Sequence, residues 1–193
     1  MNLSQEILDR FDQGMKQAIA AGVVEPTAMD LATCINNCPE SRTVLLKGLD
    51  ARGFVFYTNL ESRKGQTLKA NPVAALTFLW LEIAQQVLVR GQVELVSDQE
   101  ADEYFASRPR GSQVGAWASR QSQPLDSRAT LEHRVAELEQ RFASGPVPRP
   151  EFWSGYRVLP EWVEFWYGQE SRLHDRFLYQ NIDGQWQPSR LYP

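Results

Sequence analysis

The chain has 193 residues, a length that fits one domain around one core. Hydrophobic residues make up 42% of it and aromatic residues 11%, which is enough to build that core. The net charge of −4 argues against a general nucleic-acid binder, but the basic residues are clustered, so a small anionic ligand fits. The sequence has no apolar run of the roughly 18 residues that a membrane span needs, and no signal-peptide pattern, so we expect a cytoplasmic protein.

The first half of the chain begins with a predicted helix and continues mainly as strands. Apolar residues recur at helical spacing over residues 3–21, which predicts an amphipathic helix. A short helix is predicted to open at residues 59–62 and to end at Asn71-Pro72. The nearly unbroken apolar run at 73–81 predicts a strand buried on both faces. The strands predicted in this half are 28–35, 42–49, 53–58 and 73–81, with a hairpin turn at 50–53.

The second half combines helices with longer strands. The capping-box pattern from Ser97 to Glu100 predicts the start of a helix. Strands outnumber helices without the regular alternation of a parallel sheet, so we predict an antiparallel barrel with flanking helices. We expect one domain over residues 1–193, with an N-terminal helix in 1–24 and a barrel with helical insertions in 25–193. The other elements predicted here are helices at 112–119 and 127–143 and strands at 85–96, 156–167, 173–180 and 185–191.

The common catalytic and nucleotide-binding motifs are absent from the sequence. It has no G-x-G-x-x-G after a strand, no P-loop, no H-E-x-x-H and no G-x-S-x-G. Cys34 and Cys38 are the only cysteines, and His133 and His174 the only histidines, so neither a disulfide framework nor a metal site is expected.

A group of cations near the C-terminus indicates an anionic ligand. If residues 173–177 form a strand, Arg172, His174 and Arg176 lie on one face, roughly 7 Å apart. Charges so close repel unless an anion lies against them. Trp166 adds a flat apolar wall, so the pattern favours an aromatic ring that carries phosphate. A solvated edge strand with scattered charges is the alternative.

Two more basic groups lie in the first half of the chain. Arg42 and Lys47 stand at the two ends of an apolar strand, and their spacing sends them to opposite faces unless a bulge or a strand end intervenes. Arg63 and Lys64 lie at a predicted helix start, where free backbone N–H groups favour phosphate. A solvated helix face explains the second group equally well.

The segment from residue 104 to residue 122 offers further polar groups. Tyr104, Arg108 and Ser112 follow one another at four-residue steps and suit a second phosphate. Pro109 breaks the helix between them, so a capped helix end is the alternative. Gln121-Ser122 adds uncharged donors and acceptors after an apolar run.

Together these segments resemble the pyridoxamine 5′-phosphate oxidase family, flavin enzymes that make pyridoxal 5′-phosphate. The resemblance implies an FMN-binding split β-barrel, antiparallel and Greek-key-like, that works as a homodimer with FMN between the subunits. The implied reaction oxidises pyridoxamine 5′-phosphate and pyridoxine 5′-phosphate to pyridoxal 5′-phosphate and reduces O₂ to H₂O₂. The matching motifs run in order as Arg42-Thr43-Val44-Leu45-Leu46-Lys47, Phe54-Val55-Phe56-Tyr57-Thr58-Asn59, Ser62-Arg63-Lys64-Gly65, Tyr104-Phe105-x-Ser107-Arg108-Pro109, Ser112-Gln113-x-Gly115-Ala116-Trp117-Ala118-Ser119-x-Gln121-Ser122, Glu164-Phe165-Trp166 and Arg172-Leu173-His174-Asp175-Arg176.

The resemblance also implies the site residues. Arg172 and His174 would form the catalytic pair against the pyridine ring of the substrate. Those that would grip the substrate phosphate are Lys47, Tyr104, Arg108 and Ser112. Those that would bind FMN are Arg42, Lys47, Tyr57, Thr58, Arg63 and Lys64 from one subunit, and Gln86, Gln121, Ser122, Trp166 and Arg176 from the other.

The sequence departs from the family pattern in three places. The usual N-terminal arm, with an Arg and a Tyr that close over the substrate, has no match here, so we expect a more open site or one covered by the helix at 3–21. Gln85 stands where Arg is common, and Tyr167 where Gln is frequent. Relatives that oxidise other aromatic substrates share the fold. The alternatives are therefore such an oxidase, or a non-catalytic binder of flavin or pyridoxal phosphate.

Overall fold

The computed structural model describes residues 2–193 and combines nine strands with five α-helices over that range. No helix within this range is long and apolar enough to cross a membrane. The helices are α1 (Gln5–Ala20), α2 (Arg63–Ala70), α3 (Asp98–Ser107), α4 (Arg110–Ala118) and α5 (Arg128–Arg141). The strands are β1 (Ala28–Ile35), β2 (Cys38–Leu45), β3 (Gly48–Asp50), β4 (Gly53–Asn59), β5 (Val73–Trp80), β6 (Gln85–Leu95), β7 (Trp153–Tyr167), β8 (Asp175–Ile182) and β9 (Gln185–Leu191).

Every strand pairing is antiparallel, and the long strand β7 organises the sheet. The strand order is β2-β1-β5-β6-β7-β4-β3, while β8 pairs with β7 and β9. Residues 153–158 of β7 pair with β4, and residues 162–167 pair with β8. On its other side β7 pairs with β6 along its length, with a register shift between Arg90 and Gly91. The predicted mainly antiparallel β fold with flanking helices is confirmed.

Helix α1 covers one part of the core with a narrow apolar face. Ile7, Phe11 and Ala18 are buried, as the helical spacing predicts. The Phe11 ring meets Phe54 and Phe78 edge-on, with centroids 5.2 and 5.0 Å away. The helix begins at Gln5, two residues later than predicted, because the Ser4 hydroxyl accepts the Ile7 N–H and caps it.

The strand predicted at 42–49 is in fact two strands with a break at residues 46–47. The first of them, β2, starts earlier, at Cys38, because Asn36 and Asn37 both have positive φ (50° and 60°) and form a two-residue hairpin loop with β1. It ends at Leu45, and Leu46 hydrogen-bonds back to Thr27 while Lys47 bonds to Val55. This break puts a strand end between Arg42 and Lys47.

Two further expectations were wrong. Strand β5 is not buried on both faces in the single chain: its burial alternates, and Leu79 is 53% exposed. Residues 173 and 174 are not in a strand, because β8 begins only at Asp175. Ser171 and Arg172 have left-handed φ values of 56° and 61°, which form a tight turn instead of extended chain. Arg172 and His174 therefore do not share a strand face with Arg176.

Candidate active site

A cavity of about 680 Å³, which we call the basic cleft, opens between the end of β2, strand β4 and helices α3 and α4. Its walls carry cations and aromatic rings together. The predicted site residues that line it are Arg42, Lys47, Tyr57, Thr58, Lys64, Tyr104, Arg108, Ser112 and Gln121.

The break after β2 brings Arg42 and Lys47 into the same cleft. In a continuous strand their separation would put them on opposite faces. Because β2 stops at Leu45, the chain turns before Lys47, and both side chains line the cavity. The strand end that joint binding requires is therefore present.

Lys64 is the cation with the clearest need for a ligand. It is only 9% exposed, and its Nζ lies 3.4 Å from the Thr58 hydroxyl. No carboxylate in residues 2–193 forms an ion pair with it. Burial, and then the charge of Arg42, lower the pKa of Lys64. A buried ammonium without a counter-ion is stabilised when an anion binds beside it.

A smaller pocket of about 510 Å³ adjoins the cleft and shares Arg42 and Lys64 with it. We call it the side pocket. Arg63 follows the Ser62 N-cap of α2 as its first residue, so the predicted helix start is confirmed. The residues that line the side pocket are Glu40, Ser41, Arg42, Arg63, Lys64 and Ser122.

Arg42 is fixed by its own strand pair rather than by the cleft. Its Nη1 donates to the Leu31 carbonyl at 3.0 Å and to the Thr33 hydroxyl at 2.8 Å. Burial lowers the pKa of Arg42, although the charge of Glu40 acts in the opposite direction. The guanidinium remains charged, because even a lowered arginine pKa lies far above neutral pH.

Three parallel aromatic rings form one wall of the cleft. The Tyr57 ring centroid lies 3.9 Å from that of Tyr104 and 5.3 Å from that of Trp153, the Tyr104 and Trp153 centroids are 6.2 Å apart, and the three planes are within 14° of parallel. Gly155 makes room for this wall, since a Cβ there would lie 2.7 Å from the Tyr57 ring. Burial raises the pKa of both tyrosines, so they stay neutral hydroxyl donors.

Arg108 lies against this wall and, like Lys64, forms no ion pair with a carboxylate in the described part of the chain. Its guanidinium is 4.8 Å from the centre of the Trp153 ring, and its Nη1 is buried with no hydrogen-bond partner among the described residues. Burial lowers the pKa of Arg108. A buried donor without a partner is costly, and an anion in the cleft would satisfy it.

Two residues that support Arg108 were missed by the sequence analysis. Buried Gln113 donates from Nε2 to the carbonyls of Phe105, Ala106 and Arg108, which fixes the junction between α3 and α4. Trp153 supplies the ring beneath the guanidinium. Gln113 belongs to one of the family motifs, but nothing in its spacing indicates that its amide turns back toward the preceding helix.

Gln121 and Ser122 lie beside the cleft of their own chain. The Thr58 hydroxyl and Gln121 Oε1 are 3.2 Å apart, which continues the hydrogen-bond chain from Lys64. Ser122 lines the side pocket. Both follow helix α4, whose packing over the end of β4 carries them there; their expected contribution to the site of the other subunit stays a prediction.

The remaining predicted residues form a second group, the C-terminal cluster, which does not line the basic cleft of the same chain over residues 2–193. Gln86 is paired with Trp166 across β6 and β7, and Trp166 with Arg176 across β7 and β8. The His174 ring lies 4.5 Å from the Trp166 ring, centre to centre. The members of the cluster are Gln86, Trp166, Arg172, His174 and Arg176.

The geometry of His174 defines which nitrogen can donate. Its Nδ1 accepts the backbone N–H of Gln169 at 3.1 Å, so the neutral ring carries its proton on Nε2. The Gln169 amide in turn donates to Asp175, which closes the turn. Arg172 is exposed in this turn and has no ion pair among the described residues.

Arg176 differs from Arg172 because it is already paired. Its Nε and Nη2 bind the two oxygens of buried Glu164 at 2.6 and 3.0 Å. The hydrogen bond to Glu164 raises the pKa of Arg176. Its Nη1 donates to the Tyr192 carbonyl at 3.0 Å, so only part of the guanidinium is free for a ligand.

Comparison with known families agrees with this arrangement. The family model described as pyridoxamine 5′-phosphate oxidase matches residues 15–142. The chain belongs to the pyridoxamine 5′-phosphate oxidase family. A second model, the pyridoxine 5′-phosphate oxidase C-terminal dimerisation region, matches residues 153–193, which include most of the C-terminal cluster.

Individual relatives of the family are similar over almost the whole chain. A pyridoxine/pyridoxamine 5′-phosphate oxidase of Myxococcus xanthus (strain DK1622) is 57% identical over 96% of this chain and 91% of that protein. The protein of the same name from Rubrobacter xylanophilus is 56% identical over 95% of this chain and 85% of its own length. Family membership supports FMN as the cofactor.

Solved structures of the family confirm the split-barrel fold. PhzG from Burkholderia lata 383, in complex with tetrahydrophenazine-1-carboxylic acid, is 32% identical, with a TM-score of 0.91 over 96% of this chain and 92% of that chain. An FMN-binding protein from Nostoc punctiforme, related to pyridoxamine 5′-phosphate oxidase, is only 16% identical but has a TM-score of 0.78 with full coverage of both chains. The second likeness concerns the fold alone.

Proposed function

We propose that this protein is an FMN-dependent oxidase that converts pyridoxamine 5′-phosphate and pyridoxine 5′-phosphate to pyridoxal 5′-phosphate, with O₂ reduced to H₂O₂. The observation that carries the proposal is the basic cleft, in which Lys47, Lys64 and Arg108 form no ion pair with any carboxylate of residues 2–193 and an aromatic wall lies beside them. Cations beside flat rings suit a ligand that joins an aromatic ring to a phosphate.

The residues of the cleft fit FMN. Lys64 is a buried ammonium with no counter-ion among the residues that the structure describes, and Arg42 and Arg63 add two guanidinium groups in the side pocket. Such a set suits a phosphate, while Thr58 and Gln121 offer neutral groups for the polar edge of a flavin. Bound FMN supplies the redox chemistry of the reaction, the removal of a hydride from carbon and the transfer of electrons to O₂.

A second phosphate is proposed to bind at the far end of α3. Arg108 has an unpartnered buried Nη1, and Lys47, Tyr104 and Ser112 line the same cavity. Two charged donors and two hydroxyls match the oxygens of a phosphate monoester. Holding the substrate by its phosphate fixes its ring against the flavin, and fixed geometry of this kind supplies much of the rate.

Arg172 and His174 are proposed to complete the site from a partner subunit. In one chain they lie in the C-terminal cluster and not in the cleft, and the matching family region is one of dimerisation. A homodimer in which each cleft receives the turn of its partner would bring them against the substrate ring. There His174 would donate from Nε2, because its Nδ1 is already occupied by Gln169.

A flavin spectrum combined with a product assay tests the proposal. The purified protein should be yellow, or become so with added FMN, and should release H₂O₂ and pyridoxal 5′-phosphate from each phosphorylated vitamer. The unphosphorylated vitamers serve as controls and should react poorly, because they lack the group that Lys47 and Arg108 bind. A protein that cannot be loaded with FMN would contradict the proposal.

A second candidate is an oxidase that acts on another aromatic substrate. The similarity to PhzG, whose structure holds tetrahydrophenazine-1-carboxylic acid, favours it. The higher identity to the pyridoxine/pyridoxamine 5′-phosphate oxidases favours the first proposal. The same assay separates the two, because the second candidate would bind FMN without releasing H₂O₂ from either vitamer.

A further inference from the structure

The side pocket contains one carboxylate among its cations. Glu40 Oε2 lies 3.3 Å from Arg42 Nη2, and Glu40 Oε1 forms a close ion pair with Arg63 Nη2. The third cation, Lys64, has no carboxylate partner within residues 2–193. An acid in the middle of a proposed phosphate site opposes the ligand that the site is meant to bind, so its presence requires an explanation.

The two arginines depend on Glu40 to different degrees. Arg42 is also held by Leu31 and Thr33, so its position is kept without the acid. The side chain of Arg63 is 75% exposed, and Glu40 is its only ion-pair partner among the described residues. Glu40, with a side chain that is 20% exposed, therefore neutralises the charge of Arg63 at the mouth of the pocket.

We infer that, in the ligand-free protein, the Glu40 carboxylate occupies the position beside Arg63 that a phosphate would take. It thereby limits how tightly the side pocket binds a phosphate. The inference rests on the proposed function, which makes that phosphate the one of FMN. A phosphate monoester carries close to two negative charges at neutral pH. It must displace or share the Glu40 ion pair and is repelled by the carboxylate that remains beside it.

The opposite role for Glu40 would be to hold Arg63 in position for the ligand. The change Glu40→Gln separates these roles, because the amide oxygen can still accept a hydrogen bond from Arg63 while the charge is removed. If competition by charge dominates, FMN binding becomes tighter. If positioning by charge dominates, FMN binding becomes weaker.

Titrations of the apoprotein with FMN and with riboflavin, followed by quenching of flavin fluorescence, test the inference. We expect Glu40→Gln to lower the Kd for FMN about fivefold and to leave the Kd for riboflavin within about twofold, because riboflavin has no phosphate. The FMN affinity of the variant should also fall more steeply with added salt, since its pocket is more positive. Glu139→Gln, a change of the same charge on the exposed face of α5, should alter neither Kd.

A double-mutant cycle locates the effect at Arg63. In an Arg63→Gln background, Glu40→Gln should tighten FMN binding less than it does in the wild type, since the Arg63 ion pair is gone and only the repulsion by the carboxylate beside Arg42 remains to be relieved. Unchanged or weaker FMN binding by Glu40→Gln, while the wild type binds FMN, overturns the inference and leaves the proposed function intact. Equal tightening of riboflavin overturns it as well, because the effect would then not involve phosphate. A wild-type protein that binds no FMN overturns the proposed function and the inference with it.

Discussion

At the scale of single residues, the buried ammonium of Lys64 is the feature that most distinguishes the cleft. We expect Lys64→Gln to raise the Kd for FMN roughly 10- to 150-fold, because a hydrogen bond to a charged group is worth about 1.5–3 kcal/mol. Lys69→Gln, an exposed change on the same helix α2, is the matched control and should have little effect. Fluorescence titration measures both, and equal affinities of the two variants would remove Lys64 from the site.

Binding to Lys64 should also depend on pH. Burial lowers the pKa of Lys64 below its usual 10.5 in the ligand-free protein. As the pH rises through that lowered value, the cation is lost and the affinity for a phosphate falls. In the Lys64→Gln variant this alkaline decrease should be smaller, which a titration series across the alkaline range would detect.

The aromatic wall depends on one glycine. A methyl group at residue 155 would lie 2.7 Å from the Tyr57 ring and 2.9 Å from Val96. We therefore expect Gly155→Ala to lower the free energy of unfolding by about 1–3 kcal/mol. Gly111→Ala is the control: nothing lies within 4 Å of its added Cβ, and we expect a gain of about 0.4–1 kcal/mol. Urea unfolding compares the two, and a Gly155→Ala variant as stable as the wild type would contradict the close contact.

At the scale of elements, buried Arg157 connects three parts of the fold. From β7 it binds Asp50, the last residue of β3, at 2.8 Å, and Glu100, in the first turn of α3, at 2.6 Å. Burial acts to raise the pKa of Asp50 and of Glu100. Hydrogen bonds outweigh this effect and lower both pKa values, since Arg52 donates to both acids and Ser97 also donates to Glu100. The network therefore holds the base of α3, which carries Tyr104, against the sheet.

The lowered pKa values predict acid sensitivity. Carboxylates of this kind add stability above their unfolded pKa values, near 3.8 for Asp50 and 4.5 for Glu100, and lose it as the pH falls through the lower folded values. We expect Glu100→Gln to lower the free energy of unfolding by about 1–3 kcal/mol at pH 7. This loss is smaller than for a fully buried ion pair, because Glu100 is partly exposed to solvent. In urea unfolding, the difference from the wild type should shrink in strong acid. A pH-independent difference would mean that the charge is not responsible.

At the scale of the whole molecule, the separation of the cleft from the C-terminal cluster determines how the site can be assembled. A shared site predicts complementation between two defective chains, one with Lys64→Gln and one with Arg172→Ala. In a mixed dimer, one site combines the intact Lys64 of one chain with the intact Arg172 of the other. The second site contains both substitutions. Random mixing should restore about a quarter of wild-type turnover, since about half of the dimers are mixed and each has one intact site.

The complementation assay needs FMN at a concentration that fills the wild-type cleft but not the Lys64→Gln cleft. Each variant alone should then be nearly inactive, and Arg172→Ala alone should keep its flavin. If mixing, with exchange of subunits confirmed by size-tagged chains, restores no turnover, the turn does not serve the cleft of a partner.

Local sequence patterns predicted the elements whose boundaries depend on near neighbours. The capping box at Ser97, the opening of α2 at the end of residues 59–62 and the bounds of β1 and β9 were all predicted, because helix-start and strand signals act within a few residues. The break at residues 46–47 and the turn at 171–172 were not predicted. The break depends on backbone hydrogen bonds to residues outside the strand, at Thr27 and Val55. The turn depends on left-handed backbone angles at Ser171 and Arg172, where no glycine signals them.

The sequence by itself determined which chemical groups the protein has: the family motifs, the cations and the aromatic rings. These depend only on residue type and order. The organisation as a single domain remains a prediction from the sequence. The tertiary structure decided which groups meet: Lys64 with Thr58 and Gln121, Arg108 over Trp153, and Glu40 between Arg42 and Arg63. It also decided that Arg172 and His174 lie apart from the cleft of their own chain, since strand pairing over long separations sets such distances and no local spacing reports it.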